Sequence, residues 1–260
     1  MHTIAILLEY DGTSYAGWQI QKNATAVQEV VERALKKLLR HEVRVHGAGR
    51  TDAGVHAEGQ VCSFKTARDL PPAAYSQGLN AFLPSDIRAL GAREYPAGFD
   101  AQKSARRKCY AYRIVGRPQG SALLRERAWQ VFAPVDWEKV DRAAGALVGD
   151  HDFASFQLSH PSTKTTRRKI EAVTRGRAGP LHTLTFVGEG FLRGQVRLMA
   201  GALLAVGRGE APEGSIAGLL RHPGEKRARP AAPSRGLTLL WVDYGEGPWL
   251  APGGAISTRS

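Results

Sequence analysis

Hydrophobic and polar residues alternate along the chain in blocks that predict short strands and helices. Residues 3–9 alternate loosely and end at a Tyr-Asp-Gly turn, which indicates a first β-strand. From residue 27 to 39, apolar side chains recur at helical spacing, and we expect Thr25 to cap this helix, with Gln28 completing a capping box. Further strands are predicted at 43–47, 60–65 and 86–93, with a helix at 71–80. The first half is therefore β-α-β-α-β, and a loop interrupts its middle strand region.

The second half repeats this order beyond residues 94–104, where the periodicity lapses. The pattern predicts strands at 108–115, 128–132, 168–175, 181–187 and 237–244, and helices at 136–148, 192–206 and 215–221. Two α+β halves of similar order indicate two sheets that join edge to edge and leave a cleft at the seam. We place the subdomains at 1–100 and 104–244, followed by a flexible tail at 245–260, and we expect the basic stretch 221–235 to be a mobile loop.

One arginine stands out in the helix at 192–206, where the apolar residues form a single stripe. Arg197 lies opposite that stripe, with Gly194 three residues before it and Gly201 four residues after it. Because glycine carries no side chain, another segment could approach the helix closely around the guanidinium. The alternative is an ordinary solvated arginine.

Composition is that of a globular protein, since 43% of the 260 residues are hydrophobic and 23% are charged. No apolar run reaches the roughly 18 residues that a membrane span needs. The N-terminus enters a strand pattern at once, without the features of a signal peptide. Two cysteines, Cys62 and Cys109, offer neither a disulfide framework nor a metal cluster. We therefore expect a cytoplasmic protein without a membrane segment.

The net charge of +12 is unevenly distributed. Residues 1–100 contain 11 Lys and Arg against 11 Asp and Glu, so the remaining 160 residues hold 25 basic and 13 acidic side chains. Such an asymmetry favours a polyanionic partner, nucleic acid above all, bound mainly by the C-terminal half. The alternative is a solvated basic surface that serves solubility.

The loop at 47–57 departs most clearly from ordinary scaffold sequence. Three glycines and several alanines surround one arginine, Arg50, and one aspartate, Asp52. Glycine permits a close approach of another molecule to the main chain, and a loop after a strand can present polar side chains to a ligand. The alternative is a polar turn in which Asp52 caps its own backbone. His46 and His56 lie nearby, but the sequence offers no second cluster of ligands, and we expect no metal site.

The run from Gly49 to Ala57, Gly-Arg-Thr-Asp-Ala-Gly-Val-His-Ala, resembles the signature loop of the tRNA pseudouridine synthase A family. Other stretches resemble family motifs in the same order, so that the resemblance covers residues 3–244: the Tyr-x-Tyr strand at 108–114, the His-Asp-Phe segment at 149–156 and the arginine-bearing helix at 190–209. Two departures are Arg193-Gly194-Gln195 before that arginine and Asp100, where the family usually has histidine.

The resemblance implies an isomerase that converts uridine to pseudouridine at positions 38, 39 and 40 in the anticodon stem-loop of tRNA. It also implies a homodimer that needs no cofactor and no metal, with tRNA lying across both subunits. The implied fold is α+β. Two RRM-like or ferredoxin-like subdomains have mostly antiparallel sheets that join into one, with a central basic cleft.

The same resemblance implies roles for individual residues. Asp52 would be the nucleophile and Tyr110 would stack on the uracil, whereas a core aromatic is the alternative for Tyr110. An ionised carboxylate shielded from water needs a nearby cation, a role that suits Arg197. Arg50 would fill the space left by the target base or, alternatively, contact a phosphate.

Two basic residues at the start of the hairpin, Arg167 and Arg168, are expected to bind the RNA backbone. Two other functions remain open from the sequence. One is a pseudouridine synthase with a different RNA target. The other is a non-catalytic RNA-binding protein of two RRM-like halves, although the aromatic-rich RNP1 motif of such proteins is not found.

Overall fold

The computed structural model describes residues 1–158, 165–247 and 249. The chain divides into two compact units, one formed by Met1–Arg106 with the described residues 239–247 and 249, the other by Arg107–Thr238. Strands in both units are mostly antiparallel and the helices are few, so the predicted α+β class is confirmed.

The first unit contains a sheet in which β1 lies between two antiparallel neighbours, β3 and β4. Its elements are β1 (His2–Tyr10), α1 (Val27–Leu39), β2 (His46–Gly47), β3 (His56–Thr66), α2 (Pro72–Asn80) and β4 (Ile87–Tyr95). The two-residue β2 pairs with β3, opposite Ser63 and Cys62, and is shorter than the strand predicted at 43–47. Conversely, β3 begins inside the loop that the sequence singled out. The loop therefore leads directly into the central part of the sheet.

The predicted capping box at the start of α1 is wrong. The N-cap residue is Ala26 and makes no side-chain capping bond. Instead, the backbone N–H groups of Val27 and Gln28 donate to the carbonyls of Gly17 and Trp18, at 3.1 and 3.0 Å. Those carbonyls satisfy the donors that a capping side chain would have served. The loop before α1 is thereby tied to the helix start.

The side chain of Gln28 is buried and bridges two loops rather than capping the helix. Its Oε1 accepts from the backbone N of Ile20 at 3.1 Å, and its Nε2 donates to the carbonyl of Val45 at 2.9 Å. Because a buried amide must find partners, this position fixes the segments on either side of α1. On the exposed side of α1, Glu29 pairs with Arg33 one turn later, with 3.8 Å between the charged atoms.

The second unit is built on a second antiparallel arrangement, in which β9 lies between β5 and β8. Its elements are β5 (Arg107–Gly116), β6 (Trp129–Val131), α3 (Trp137–Ala144), β7 (Gly149–Asp152), β8 (Arg167–Ala178), β9 (Leu181–Gly188), α4 (Gln195–Gly207) and α5 (Ser215–Arg221), and the division between units falls within β10 (Leu237–Asp243). Strand β7 pairs antiparallel with β8, and β6 pairs parallel with β5. The β8–β9 hairpin confirms the prediction, whereas β7 was not predicted.

Helix α4 is buried on all sides, not along one stripe as predicted. Every residue of α4 except Arg197 is buried. The reason is that α4 has neighbours on more than one side. Helix α3 packs at Gly207, where an added Cβ would lie 2.5 Å from the Val140 side chain, and an added Cβ at Gly201 would lie 1.7 Å from the Pro230 carbonyl. Arg197 is thus the one half-buried residue on an otherwise buried helix.

The segment at 221–235 is anchored, which corrects the prediction of a mobile loop. The backbone N of Ala228 donates to the Ser155 carbonyl at 2.8 Å, and the N of Gly224 donates to Ser155 Oγ at 3.0 Å. Ala228 and Ala232 are both buried. Main-chain bonds and small apolar side chains hold a segment whose charges had suggested solvation. The tail predicted at 245–260 falls mostly outside the described residues.

Candidate active site

The loop from residue 47 to residue 57, called the Asp loop below, is fixed at its start by β3 and by an indole ring. Ala48 N donates to the Val61 carbonyl at 2.7 Å, and Gln60 Nε2 donates to the Gly49 carbonyl at 2.9 Å. An added Cβ at Gly47 would lie 2.5 Å from the Trp18 side chain. Only glycine fits at the base of the loop without displacing this indole.

The middle of the Asp loop is held through Thr51, which is buried. Thr51 Oγ1 lies 2.8 Å from the Tyr10 hydroxyl, and the Thr51 carbonyl accepts from Trp18 N at 3.1 Å. Gly17 has a φ of +94°, and an added Cβ there would lie 2.4 Å from the same carbonyl. Both the dihedral angle and the close approach require glycine at this position. The residue directly before Asp52 is therefore fixed by hydrogen bonds and by packing.

Asp52 itself is half-buried, and its neighbour Arg50 is exposed. The carbonyl of Asp52 accepts from Val55 N at 3.1 Å, which closes a tight turn, and Gly54 N donates to the Tyr15 carbonyl at 3.2 Å. The turn holds the aspartate between two anchored flanks. A carboxylate in this position is presented in a defined direction with little freedom of its backbone.

The end of the Asp loop is fixed by a buried histidine. His56 Nδ1 lies 3.1 Å from the Gly12 N–H and 3.1 Å from Asp11 Oδ1. A neutral ring accepts from Gly12 at this nitrogen, whereas a protonated ring donates to the Asp11 carboxylate. An added Cβ at Gly12 would lie 2.0 Å from the Val55 carbonyl. The turn at 11–12 and the Asp loop are thus packed main chain against main chain.

No sequence pattern indicated a structural role for His56, which was considered only as a metal ligand. Within residues 1–158, 165–247 and 249, no group of three or more His, Cys, Asp or Glu side chains is placed to hold a metal ion. Gly12 and Gly17 belonged to stretches that resembled the family, but no spacing rule indicated that they contact the Asp loop. The contact is visible only in three dimensions.

Tyr110 lies on β5 in the second unit, opposite Phe186 in the register with β9. Its side chain is nearly buried and meets the Phe191 ring edge to face, with centroids 5.1 Å apart and an interplanar angle of 83°. The T-shaped contact fixes the plane of the phenol ring. Two residues earlier on the same strand face, burial of the ammonium lowers the pKa of Lys108 to about 8, and the charge of Arg168 adds to this effect.

Arg197 lies in the first turn of α4 and is held by the segment at 230–232. Its Nε donates to the Ala232 carbonyl at 2.8 Å, and Ala232 N donates back to the Arg197 carbonyl at 3.0 Å. An added Cβ at Gly201 would lie 1.7 Å from the Pro230 carbonyl. Glycine at position 201 thus allows this segment to lie directly on the helix. The orientation of the guanidinium is set by main chain.

The two other basic candidates, Arg167 and Arg168, start strand β8. Arg167 is exposed and pairs with Asp150 of β7 at 3.3 Å, and Arg168 Nη1 donates to the Thr165 carbonyl at 3.0 Å. Burial lowers the pKa of Arg168 from its usual value. The structure therefore brings Asp52 and Arg50 together in the first unit. It places Tyr110, Arg197 and these two arginines in the second.

Comparisons with known proteins agree with this picture. The α+β fold of mostly antiparallel strands, the fixed aspartate loop and the basic second half fit a pseudouridine synthase, and the family comparison shows that class. A family model described as tRNA pseudouridine synthase matches residues 6–102 and 143–245, which include both the Asp loop and Arg197. The chain belongs to the tRNA pseudouridine synthase family, and it is an isomerase that acts on tRNA.

Relatives match the chain over nearly its full length. It is 47% identical to the tRNA pseudouridine synthase A of Pelobacter propionicus over 244 residues, which covers 94% of this chain and 100% of that protein. Identity to the Geobacter sulfurreducens protein of the same name is 44% over the same shares. The Myxococcus xanthus protein is 42% identical over 261 residues, covering 100% of this chain and 98% of that protein.

None of the helices in the described part of the chain has the length and apolar character that crossing a membrane requires.

Proposed function

We propose that this protein converts uridine to pseudouridine at positions 38, 39 and 40 of tRNA, with Asp52 as the nucleophile. The observation that carries the proposal is the rigid presentation of a half-buried carboxylate by the Asp loop. The full-length similarity to proteins named tRNA pseudouridine synthase A supports tRNA as the substrate. The anticodon positions are those that the sequence resemblance implies.

The reaction breaks the bond from uracil N1 to ribose C1′, turns the base over and forms a bond from C5 to C1′. A proton leaves C5 and N1 gains one, so atoms and electrons balance without a redox partner. A carboxylate can assist by attacking either the pyrimidine ring or the sugar, and it is released when the new bond has formed. We assign this covalent role to Asp52, by attack on either the pyrimidine ring or the sugar.

Tyr110 and Arg197 support the nucleophile in the proposal. The Tyr110 ring, which Phe191 holds in one plane, stacks on the uracil, a contact that contributes about 1–3 kcal/mol per base. The guanidinium of Arg197 forms a direct ion pair with the Asp52 carboxylate. Because Nε is occupied by the Ala232 carbonyl, the two terminal nitrogens are the donors suited to a carboxylate.

Binding of the RNA is assigned to the remaining candidates. Arg50, exposed beside the nucleophile, fills the space left in the stem when the target base moves out of its stack. Arg167 and Arg168 contact phosphates. The protein acts in the cytoplasm as a homodimer with one tRNA lying across both subunits.

The experiment that tests the proposal uses unmodified tRNA transcripts, with chelator and without added cofactor. Pseudouridine is mapped at single-nucleotide resolution, and matched transcripts carry cytidine at positions 38–40. The expected product lies only at those positions and disappears from the matched transcripts. Product confined to another site or another RNA would overturn the anticodon assignment and favour a different RNA target. Sedimentation of the protein alone measures whether it is a dimer.

A further inference from the structure

The segment at 221–235 concentrates basic side chains on a backbone that is already fixed. Arg221, Lys226, Arg229 and Arg235 are all exposed, and Glu225 is the only acidic residue in the segment. Among the described residues, none of these four side chains forms an ion pair. Other basic residues of this unit behave differently, as Arg142 shows by its paired bonds to Glu213 at 3.0 Å.

The basic side chains are not needed to anchor the segment, because hydrogen bonds to its main chain hold it in place. Ser155 accepts from Ala228 N at its carbonyl and from Gly224 N at Oγ, while its own hydroxyl donates to the Leu219 carbonyl at 3.1 Å. One small buried residue thus anchors three points of the chain around the segment. None of these bonds uses a charged side chain, and the four basic side chains remain exposed on an anchored backbone.

The C-terminal part of the segment, residues 230–233, which we call the strap, also touches two elements of the candidate active site. Ala232 exchanges two hydrogen bonds with Arg197, and the Pro233 carbonyl accepts from the Tyr112 hydroxyl at 2.8 Å. Tyr112 lies two residues beyond Tyr110 on β5. The strap is therefore connected to both Arg197 and the strand that carries Tyr110.

We propose that residues 221–235 form a binding surface for the sugar–phosphate backbone of the tRNA. Through the strap, the same segment positions Arg197. The inference rests on the proposed role of Arg197 and extends it. Fixed cations that contact phosphates release counterions and add affinity without sequence preference. Since the Ala232 carbonyl holds Arg197 Nε, the strap sets the position of the guanidinium relative to RNA bound on this surface.

The first test separates this surface from the rest of the protein by charge reversal. We expect Lys226→Glu with Arg229→Glu to raise Kd and KM for tRNA about tenfold or more, while kcat falls less than about threefold. The slope of log affinity against log salt should decrease by about 2, since each lost phosphate contact lowers it by about 1. The matched control reverses two exposed lysines of the first unit, Lys37 and Lys65. Equal losses in both double variants would overturn the surface assignment.

The second test moves the strap without touching a charge. Gly201→Ala places a methyl group 1.7 Å from the Pro230 carbonyl, so the strap must shift. We expect kcat to fall about tenfold to a hundredfold, while Kd for tRNA changes less than about threefold. The control is Gly218→Ala in α5, where an added Cβ meets no atom within 4 Å. Thermal unfolding of both variants measures whether they remain folded.

A second variant keeps the test decisive if Gly201→Ala does not fold. Tyr112→Phe retains the ring and removes only the hydrogen bond to the strap, and we expect a severalfold loss in kcat with unchanged Kd. Folded variants with wild-type kcat would overturn the coupling. Kd is measured by direct binding, so a failure of the inference is distinct from a failure of the proposed function, in which wild-type protein forms no pseudouridine at 38–40.

Discussion

The two units hold their functional side chains by the same means but differ in charge. In the first unit, Gly17 lets the main chain approach the carbonyl beside Asp52, and in the second, Gly201 lets the strap lie on the helix of Arg197. Residues 1–100 carry balanced charges, whereas the whole excess of +12 lies beyond them. Backbone packing thus places Asp52 and Arg197, whereas we propose that affinity for RNA depends on the cations of the second half.

Among the substitutions that test this comparison, the largest effect is expected from Arg197, because it tests whether the second unit contributes to chemistry as well as to binding. Arg197→Met removes the cation that the nucleophile requires, and we expect turnover to fall at least about a hundredfold, as on loss of a stabilising donor in an active site. The turnover of Arg197→Lys should lie between that of wild type and that of Arg197→Met, because an ammonium does not reproduce the planar fork of a guanidinium.

Single-turnover rates and direct tRNA binding are the measurements for both Arg197 variants. Affinity should stay within about threefold of wild type, since phosphate contacts elsewhere supply most of it. A fully active Arg197→Met protein would contradict the ion pair with Asp52.

A smaller but still large effect is expected from Gly17, which tests backbone placement in the first unit. Gly17→Ala introduces a positive-φ strain and a Cβ 2.4 Å from the Thr51 carbonyl. Gly98→Ala is the matched control, because its φ is +99° and its added Cβ meets nothing within 4 Å. Strain alone costs about 1 kcal/mol, so the control should lose about that much stability.

The Gly17 variant should lose clearly more stability than its control and, in addition, most of its turnover. Urea unfolding and single-turnover rates measure the two quantities. If both alanine variants behaved alike, the close approach at Gly17 would not be what positions Asp52.

A moderate effect is expected from the cations of β8, which test the charge difference between the units. Arg167→Gln with Arg168→Gln should weaken tRNA binding several-fold and flatten its salt dependence, because fewer counterions are released. The double variant Lys37→Gln with Lys65→Gln in the balanced first unit should change affinity by less than about twofold. Filter binding at several salt concentrations measures both, and equal effects in the two units would contradict the assignment of binding to the second.

The smallest effect is expected from His182 and concerns stability alone. His182 lies in the second unit and has a structural role, without a proposed part in binding or chemistry. The His182 ring stacks on Trp137 at 3.7 Å and accepts from Arg175, which pairs with Asp141. Burial lowers the pKa of His182 to about 4, and the charges of Arg175 and Arg177 add to this effect. The ring is therefore neutral in the folded protein at neutral pH.

The pH dependence follows from the difference between the folded pKa of about 4 and an unfolded value of about 6.5. Between these values the unfolded chain binds more protons, so the free energy of unfolding rises with pH, by at most about 3 kcal/mol. We expect His182→Gln to flatten that rise between pH 4 and pH 6.5. Urea unfolding at several pH values measures it, and an unchanged slope would show that His182 is not its source.

Local patterns in the sequence predicted most of the elements but few of the contacts between them. The strand that carries Tyr110 and the β8–β9 hairpin appear where alternation placed them, because β5 and β9 carry buried apolar residues and β8 pairs along β9. Strand β7, Gly-Asp-His-Asp, has no such face, and its pairing with β8 decides its conformation. The cap of α1 failed as a prediction because its acceptors lie in a loop about ten residues upstream.

The candidate site shows the same limit. Asp52 and Arg197 were identifiable from motifs, and the glycines beside Arg197 indicated a close approach. The partner in that approach, residues 230–232, was expected to be mobile because of its prolines and the charges around it. The two hydrogen bonds that tie it to Arg197 involve main-chain atoms of the segment, which no sequence pattern indicates. The Tyr10–Thr51 bond joins residues 41 positions apart, and no local pattern carries such information.

Substitution of Asp52 by asparagine, assayed on unmodified tRNA, tests the central claim most directly. The amide keeps the shape of the side chain and removes its nucleophilicity. Binding is measured at equilibrium and pseudouridine formation in a single turnover with enzyme in excess. The account predicts tRNA affinity within about threefold of wild type and no pseudouridine above background. Activity within about tenfold of wild type would contradict the assignment of Asp52 as the nucleophile.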